Sequence, residues 1–354
     1  MTADELGFLY PQIDESLCVD CGLCEKVCPV FNENEIKSTP KAYAVKNIDE
    51  NIRMQSSSGG TFTAIAEKIL ADGGVVFGAA FSDDFKTVHH IAIENSEDLY
   101  KLRGSKYVQS RIDTSFTDAK KELEKGRKVL FTGTPCQIGG LLSYLRKDYN
   151  NLITQDIICH GVPAPYVWSK YVELREEKAG ANTTSASFRA KNTGWVKFSM
   201  LMNFQNGKEY TQPLSDDLFM QGFLNNVYLR SSCYDCAFKT IHRKADITLA
   251  DFWGVWNVLP QMNDDKGVSL VITNTQKGED IINSISNQFE IIEADLSEAV
   301  KYNSAAEKSV PHNAQREAFV TDFNIQPFGK VIKKYCSPDW KKQLKSKIKS
   351  ILKK

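Results

Sequence analysis

The chain has 354 residues, with 44 basic and 44 acidic side chains, no formal net charge and nine cysteines. Apolar residues make up 42% and charged residues 25%, a composition that builds a folded core and excludes global disorder. Zero net charge removes the general attraction to phosphate behind nucleic-acid binding, and the longest apolar stretch, Val75–Phe81, is far short of a membrane span.

No nucleic-acid partner and no transmembrane segment are therefore expected, and the length suggests roughly two or three domains. Met1–Tyr10 has neither the basic start nor the apolar core of a signal peptide. A cytoplasmic location is expected, where nine thiols read as metal ligands or redox centres rather than disulfides.

The first motif is CVDCGLCEKVCP, with Cys18, Cys21, Cys24 and Cys28 before Pro29. Three cysteines at steps of three, in a turn loosened by Gly22, bring successive thiolates to three corners of one iron–sulfur cube. The longer step and Pro29 then start a short helix that aims the fourth thiolate elsewhere. A zinc knuckle also takes four thiolates, but zinc sites usually pair two C-x-x-C arms across a spacer. Two-cluster ferredoxins carry this motif twice, and Gly7–Ile13 looks like the segment that joins their halves. Either Cys28 completes a single cluster, or an upstream half is missing.

Next, Gln55–Thr61 (QSSSGGT) leads into Phe62–Ala71, whose apolar residues keep helical spacing. Ser58 reads as the N-cap, and Gly59-Gly60 let backbone amides approach a phosphate at the helix start, although a plain capped helix has the same pattern. Val75–Phe81 and Val88–Ile93 read as strands, and Leu102–Ser110 as a polar, basic turn. Lys106 in it reads either as neutralising a diphosphate or as an ordinary surface lysine. No G-x-G-x-x-G follows a strand, so a Rossmann nicotinamide site is not supported.

Val129–Phe131 reads as a buried strand, Thr132–Pro135 as the turn at its end, and Gln137–Arg146 as a helix, which puts Cys136 where α/β sheets gather ligands. Cys159 repeats this after a strand over Ile153–Ile158, followed by His-Gly-Val-Pro. FRAKNTGW, with Phe188, Arg189, Lys191, Gly194 and Trp195, reads equally as a substrate mouth or as an edge strand with a turn. Cys233 and Cys236 form a C-x-x-C pair ahead of a strand over Ala245–Ala250 and of Asp251-Phe252-Trp253-Gly254. Each single cysteine also reads as a small core hydrophobe. Together the four suffice for a second cluster, though spacing alone does not show that they meet.

Trp253 and Trp256 read as core, His160 as either a tuner of a neighbouring cluster or a turn residue, and Cys336 as structural. The tail Pro338–Lys354 aligns Trp340, Leu344, Ile348, Ile351 and Leu352 on one helical face with lysines elsewhere. It reads as a terminal helix docked on its own body or resting on an anionic surface.

In this order the motifs resemble the family of coenzyme F-420 hydrogenase/dehydrogenase beta subunits, in the form with an N-terminal 4Fe-4S ferredoxin-type segment. The resemblance runs from about Gly7 to about Phe319. It is carried by Cys18–Pro29, Ser57–Thr61, Gly104–Tyr107, Thr132–Gln137, Cys159–Pro163, Cys233-x-x-Cys236 and Ala245–Thr248. Ala250 and Ala164 depart from the residues common in relatives, but neither is a proposed ligand.

The resemblance implies an α/β (α+β) fold in which a ferredoxin-type segment precedes a two-part flavin- and cluster-binding body. The expected division is a segment over residues 1–40, a flavin side over 41–150, a second-cluster part over 151–320 and a basic amphipathic tail over 321–354. It implies Cys136, Cys159, Cys233 and Cys236 as ligands of a body 4Fe-4S cluster, beside the four at Cys18–Cys28. FAD is expected against Ser58, Gly59, Gly60, Thr61, Ser105, Lys106, Tyr107, Gly133 and Thr134.

The implied activity is that of an iron–sulfur flavoprotein oxidoreductase. Its electrons pass from a donor protein through the clusters to the flavin and a small-molecule acceptor. The alternatives are an electron-transfer subunit that feeds a partner protein, or a structural zinc protein without flavin. No residue is assigned a catalytic role.

Overall fold

The computed structural model describes residues 1–31 and 39–338; the predicted tail helix lies outside the described residues. Thirteen strands occur among those described: β1 (Thr2–Ala3), β2 (Leu9–Tyr10), β3 (Lys41–Asn47), β4 (Val75–Phe81), β5 (Val88–Ile93), β6 (Val129–Thr132), β7 (Leu152–Ile157), β8 (Thr183–Ala190), β9 (Ser199–Phe204), β10 (Glu209–Pro213), β11 (Ile247–Asp251), β12 (Ser269–Thr273) and β13 (Phe289–Ala294). Eight of them form one mixed sheet in the order β13-β3-β12-β11-β7-β6-β4-β5.

Its centre is parallel: β4 pairs with β6, β6 with β7, and β7 with β11, while the outer strands run antiparallel. Parallel strands covered on both faces read as continuous apolar runs, which is the pattern of Val75-Val76-Phe77 and Val129-Leu130-Phe131. Alternation then sorts the side chains. Val76, Leu130 and Ile153 face Ile65 and Ile69, whereas Val75, Phe77, Val129 and Phe131 pack with Leu123, Ile138 and Leu141 on the other side.

The helices that position the site are α1 (Leu23–Lys26), α2 (Glu50–Gln55), α3 (Thr61–Ala71), α4 (Leu99–Leu102), α5 (Ser115–Glu124), α6 (Pro135–Leu145), α7 (Pro165–Ala179) and α8 (Leu218–Leu224). Helix α3 covers one face of the sheet, and α5 and α6 cover the other. Helix α6 starts two residues before its predicted beginning. Pro135 takes the first turn, where its missing N–H costs nothing, and Thr134 with Gln137 forms a capping box.

A second, three-stranded antiparallel sheet in the order β10-β9-β8 packs with α7 and α8 around Trp168, Tyr171, Phe188, Phe219 and Tyr228. The Trp168 and Phe188 rings stand 4.6 Å apart. The same core takes Leu6 and Phe8 from the loop between β1 and β2, both fully buried. Gly7 has φ of +86°, and a Cβ there would come within 2.7 Å of the Tyr166 ring, so only glycine suits both the backbone and the space. Arg230 holds the Leu9 carbonyl at 3.0 Å and stacks 4.2 Å over Tyr10. The first ten residues are thus built into the body. No described helix is long and apolar enough to cross a membrane.

A buried phenylalanine cut back to alanine costs about 3–5 kcal/mol. Phe8→Ala is expected to lower unfolding stability by that amount in anaerobic urea titrations. A loss under about 1 kcal/mol would show that the N-terminal hairpin is only laid on the surface.

Candidate functional site

The parallel strands β4, β6, β7 and β11 end along one edge of the large sheet, and a cavity of about 620 Å³ opens there. Its walls include Ser56–Ser58, Gly60–Phe62, Arg103–Val108, Thr132–Thr134, Ile157–Pro163 and Asp251. Of the nine residues expected around FAD, eight line it. Gly59 stands behind the wall, because a Cβ there would sit 2.2 Å from the Val45 carbonyl oxygen. Its role is close packing against β3 and β12.

Ser58 is not the N-cap of α3. Its hydroxyl donates to the Val268 carbonyl at 2.8 Å, and the cap position falls to Gly60, in the left-handed region at φ of +86°. A tertiary partner has outcompeted the local one. The helix therefore starts with no side-chain cap, and its first residues face the cavity, with the buried Thr61 hydroxyl lacking any partner. Open N–H groups and the helix dipole make such a start a receptor for anionic groups.

The loop before the helix is held from below by Lys191, whose Nζ donates at 2.7 Å to each of the Arg53, Ser58 and Lys266 carbonyls. Burial pulls its ionisation down to about 7. Ser57 Oγ accepts the Ser105 N–H at 2.7 Å, tying this loop to the Gly104–Tyr107 turn.

Lys106 is not a solvated surface lysine. Its ammonium donates at 3.2 Å to the carbonyls of Leu102, Arg103 and Gly104 at the end of α4, and burial pulls its ionisation down to about 7. His90, also in the wall, stacks on Phe131 with Nε2 at 2.9 Å from the Thr132 carbonyl. Burial lowers it to about 4, so it is neutral at physiological pH. Since a carbonyl only accepts, Nε2 carries the proton and Nδ1 is a buried acceptor without a donor.

The FRAKNTGW segment builds a wall. Arg189 pairs with Asp251 at 2.9 Å, both largely buried, and lies 3.8 Å over the Phe198 ring. Trp195 Nε1 donates to the same Asp251 oxygen at 2.6 Å, and its indole stacks on Trp253 at 5.1 Å. Trp253 therefore lines the cavity instead of filling the core, and Trp256 is exposed. Phe188 is core. The ion pair joins residues 62 positions apart, so no local pattern announces it.

Four cysteines approach this edge on three segments. Cys136 lies in the first turn of α6, with Thr134 Oγ1 at 3.1 Å from its sulfur. Cys159 follows β7 and is part of the cavity wall. Cys233 ends a single 3-10 turn, Ser231–Cys233, and Cys236 is fixed by its N–H on Ser309 Oγ at 2.9 Å. Gly161 lets the turn after Cys159 close on Cys233, whose Cβ would stand 3.4 Å from a Cβ at position 161.

The thiols also feel one another electrostatically. Burial first, then the charges of Cys136, Cys233 and Cys236, raises Cys159 well above the ordinary thiol range. Burial and the same neighbours push Cys233 up to about 11, and Cys136 is raised by burial and by Cys236. Thiols at Cys136, Cys159 and Cys233 that disfavour one another's ionisation would be stabilised as thiolates by a bound metal centre.

Four thiolates are the donor set that a 4Fe-4S cube takes, one on each iron. Among the described residues, no three His, Cys, Asp or Glu side chains form a group that would hold a single ion. His160, beside Cys159, places Nε2 2.7 Å from Asn226 Oδ1, with its ring edge-on to Phe223.

Cys18, Cys21 and Cys24 are exposed and Cys28 is half-buried. Gly22 sits at φ of +65° ahead of α1, the turn expected of it. This segment docks beside α6. A Cβ at Gly139, three residues after Cys136, would lie 3.4 Å from Pro29 and 2.7 Å from the Phe238 ring. Cys336 is buried away from the site, against Gly222.

Residues 42–116 match the family described as coenzyme F420 hydrogenase/dehydrogenase, beta subunit N-term, and residues 126–299 match its C terminus. Residues 11–31 match the 4Fe-4S binding domain. The coenzyme F420-dependent sulfite reductase of Methanocaldococcus jannaschii is 32% identical over 131 residues, 36% of this chain and 20% of that protein. A component of the F(420)H(2) dehydrogenase of Methanosarcina mazei is 25% identical over 126 residues, 34% of each chain. The chain thus matches 20% to 34% of the length of these relatives.

A 7Fe ferredoxin of Hydrogenibacillus schlegelii is 45% identical over 40 residues, 10% of this chain and 51% of that one. A chain of the F420-reducing NiFe hydrogenase complex from Methanosarcina barkeri shares the fold, with a TM-score of 0.51 and 18% identity over 74% of this chain and 84% of that chain. The two halves of one family match together span more than half of the sequence. The chain is an iron–sulfur protein related to oxidoreductases, and it belongs to the family of coenzyme F420 hydrogenase/dehydrogenase beta subunits.

Proposed function

We propose that the protein is an iron–sulfur flavoprotein that relays electrons from a donor protein to an organic acceptor. Cys18, Cys21, Cys24 and Cys28 would hold a ferredoxin-type cluster, which would supply one-electron transfer at the donor side. Cys136, Cys159, Cys233 and Cys236 would hold a body cluster beside the cavity, where FAD would be bound. The observation that carries this reading is the shared wall: Cys159 borders the same cavity as the open start of α3.

Clusters move single electrons, whereas most organic acceptors take two with a proton, and a flavin reconciles the two counts when bound. The chain's own groups then have defined tasks. The first amides of α3 and the hydroxyl of Ser105 hold the diphosphate, with Lys106 adding charge. Lys191 keeps that loop in place without touching the ligand. Arg189, already balanced by Asp251, orients a polar edge of the ring or the acceptor, and neutral His90 offers Nδ1 as a proton acceptor.

A second reading, an electron-transfer subunit that feeds a partner protein, is favoured by the exposure of Cys18, Cys21 and Cys24, which suits contact with another redox protein. The coenzyme F420 named in its relatives is one acceptor to be assayed under both readings.

Anaerobically purified protein is expected to hold about eight irons and about one FAD per chain. Replacing Cys136, Cys159, Cys233 and Cys236 by serine should halve the iron; unchanged iron would remove the body cluster, and a colourless zinc-bearing sample would remove both. A hydrogen bond or contact from a charged group is worth about 1.5–3 kcal/mol, so Lys106→Met should weaken FAD binding roughly tenfold or more in fluorescence titrations. An unchanged dissociation constant would take Lys106 out of the flavin site.

A further inference from the structure

We propose that Lys239 sets the reduction potential of the body cluster, as a fixed positive charge anchored on the carbonyl of Cys159. The inference rests on the cluster reading above.

Lys239 follows Cys236 by three residues, and its ammonium returns to donate to the Cys159 carbonyl and, at 3.0 Å, to the Ala305 carbonyl. It is half-buried. Burial pulls its ionisation below the ordinary lysine range, against which the thiols of Cys159, Cys236 and Cys233 hold the proton on while the guanidinium of Arg243 opposes it; no carboxylate is among these groups. Arg243 is itself committed to Asp156, at 3.6 Å, and to the Ala306 carbonyl. A partly buried cation held only by two carbonyls is costly unless an opposite charge stands nearby. The opposite charge available to Lys239 is that of the cysteines themselves, or of the anionic cluster they would hold.

The arrangement acts on redox equilibrium by simple electrostatics. Reduction adds one electron to the cluster and moves no proton, so the reduced form is the more negative by one charge. A fixed cation a few ångströms away stabilises that form more than the oxidised one, and raises the potential. The ammonium also ties the turn after β7 to Ala305, another residue of the cavity wall. The ammonium is thereby fixed beside the Cys159 backbone, next to the thiolates that would hold the cluster.

The test uses the full chain with Cys18→Ser, Cys21→Ser, Cys24→Ser and Cys28→Ser, so that only the body cluster reports. An anaerobic redox titration followed by EPR compares Lys239 with Lys239→Gln, Lys239→Met and Lys239→Arg. The neutral variants should shift the reduced-to-oxidised ratio at a given potential at least about tenfold toward the oxidised form, 59 mV for a one-electron couple. Lys239→Arg should restore most of it. A cluster present in both neutral variants at unchanged potential would overturn the inference and leave the cluster reading standing. Loss of the body iron from both neutral variants would make Lys239 an anchor only, and would overturn it too. Absence of any cluster with Lys239 in place would instead overturn the cluster reading.

Discussion

Strands β4, β6, β7 and β11 run parallel through the centre of the sheet, with helices over both faces. Their C-terminal ends are left as the one place where chain can turn toward a ligand. That constraint organises the rest of the molecule. The turn after β6 delivers Thr134 and Cys136, the turn after β7 delivers Cys159 and His160, and the end of β11 delivers Asp251. The segment after β3 brings the open start of α3 to the same edge, and Cys233 closes from the side through Gly161. Residues more than a hundred positions apart meet because parallel pairing forces each strand to end where its neighbour ends.

The chain as a whole carries no net charge, yet the site does not share that balance. Arg103, Lys106 and Arg189 line the cavity against Asp251, and Lys191 and Lys239 stand just behind the walls. Most of these cations rest on backbone carbonyls: three for Lys106, three for Lys191, two for Lys239. Carbonyls satisfy the hydrogens of an ammonium without cancelling its charge. Burial draws Lys106 and Lys191 down to about 7, so an anion entering the cavity would favour their charged forms.

Much of the local structure was legible in the sequence. The apolar runs at Val75–Phe81 and Val88–Ile93 become β4 and β5 over the predicted residues, and the periodicity after Gly60 becomes α3. The N-terminal cysteine motif was legible because its chemistry depends on spacing within a dozen residues. What failed depended on distant partners. Ser58 has the right side chain for a cap, but Val268 takes it. Trp253 sits in an apolar setting in sequence, but stacks on Trp195 at the cavity. The pairing of Arg189 with Asp251 and the seating of Lys191 leave no periodic trace. Phe8, in a segment that looks like a ferredoxin joint, is core to the second sheet. The strand-end positions of Cys136 and Cys159 were legible, whereas the approach of the Cys233 segment to the turn after Cys159 depends on Gly161 and on chain far away in sequence.

The central claim is that this edge of the sheet joins an iron–sulfur cluster to a flavin pocket. Anomalous diffraction at the iron edge, from crystals grown without oxygen, tests it most directly. Two iron centres are expected, one within Cys18–Cys28 and one bounded by Cys136, Cys159, Cys233 and Cys236, with FAD density in the adjoining cavity. A single iron centre at Cys18–Cys28, with four free thiols at the sheet edge, would contradict it.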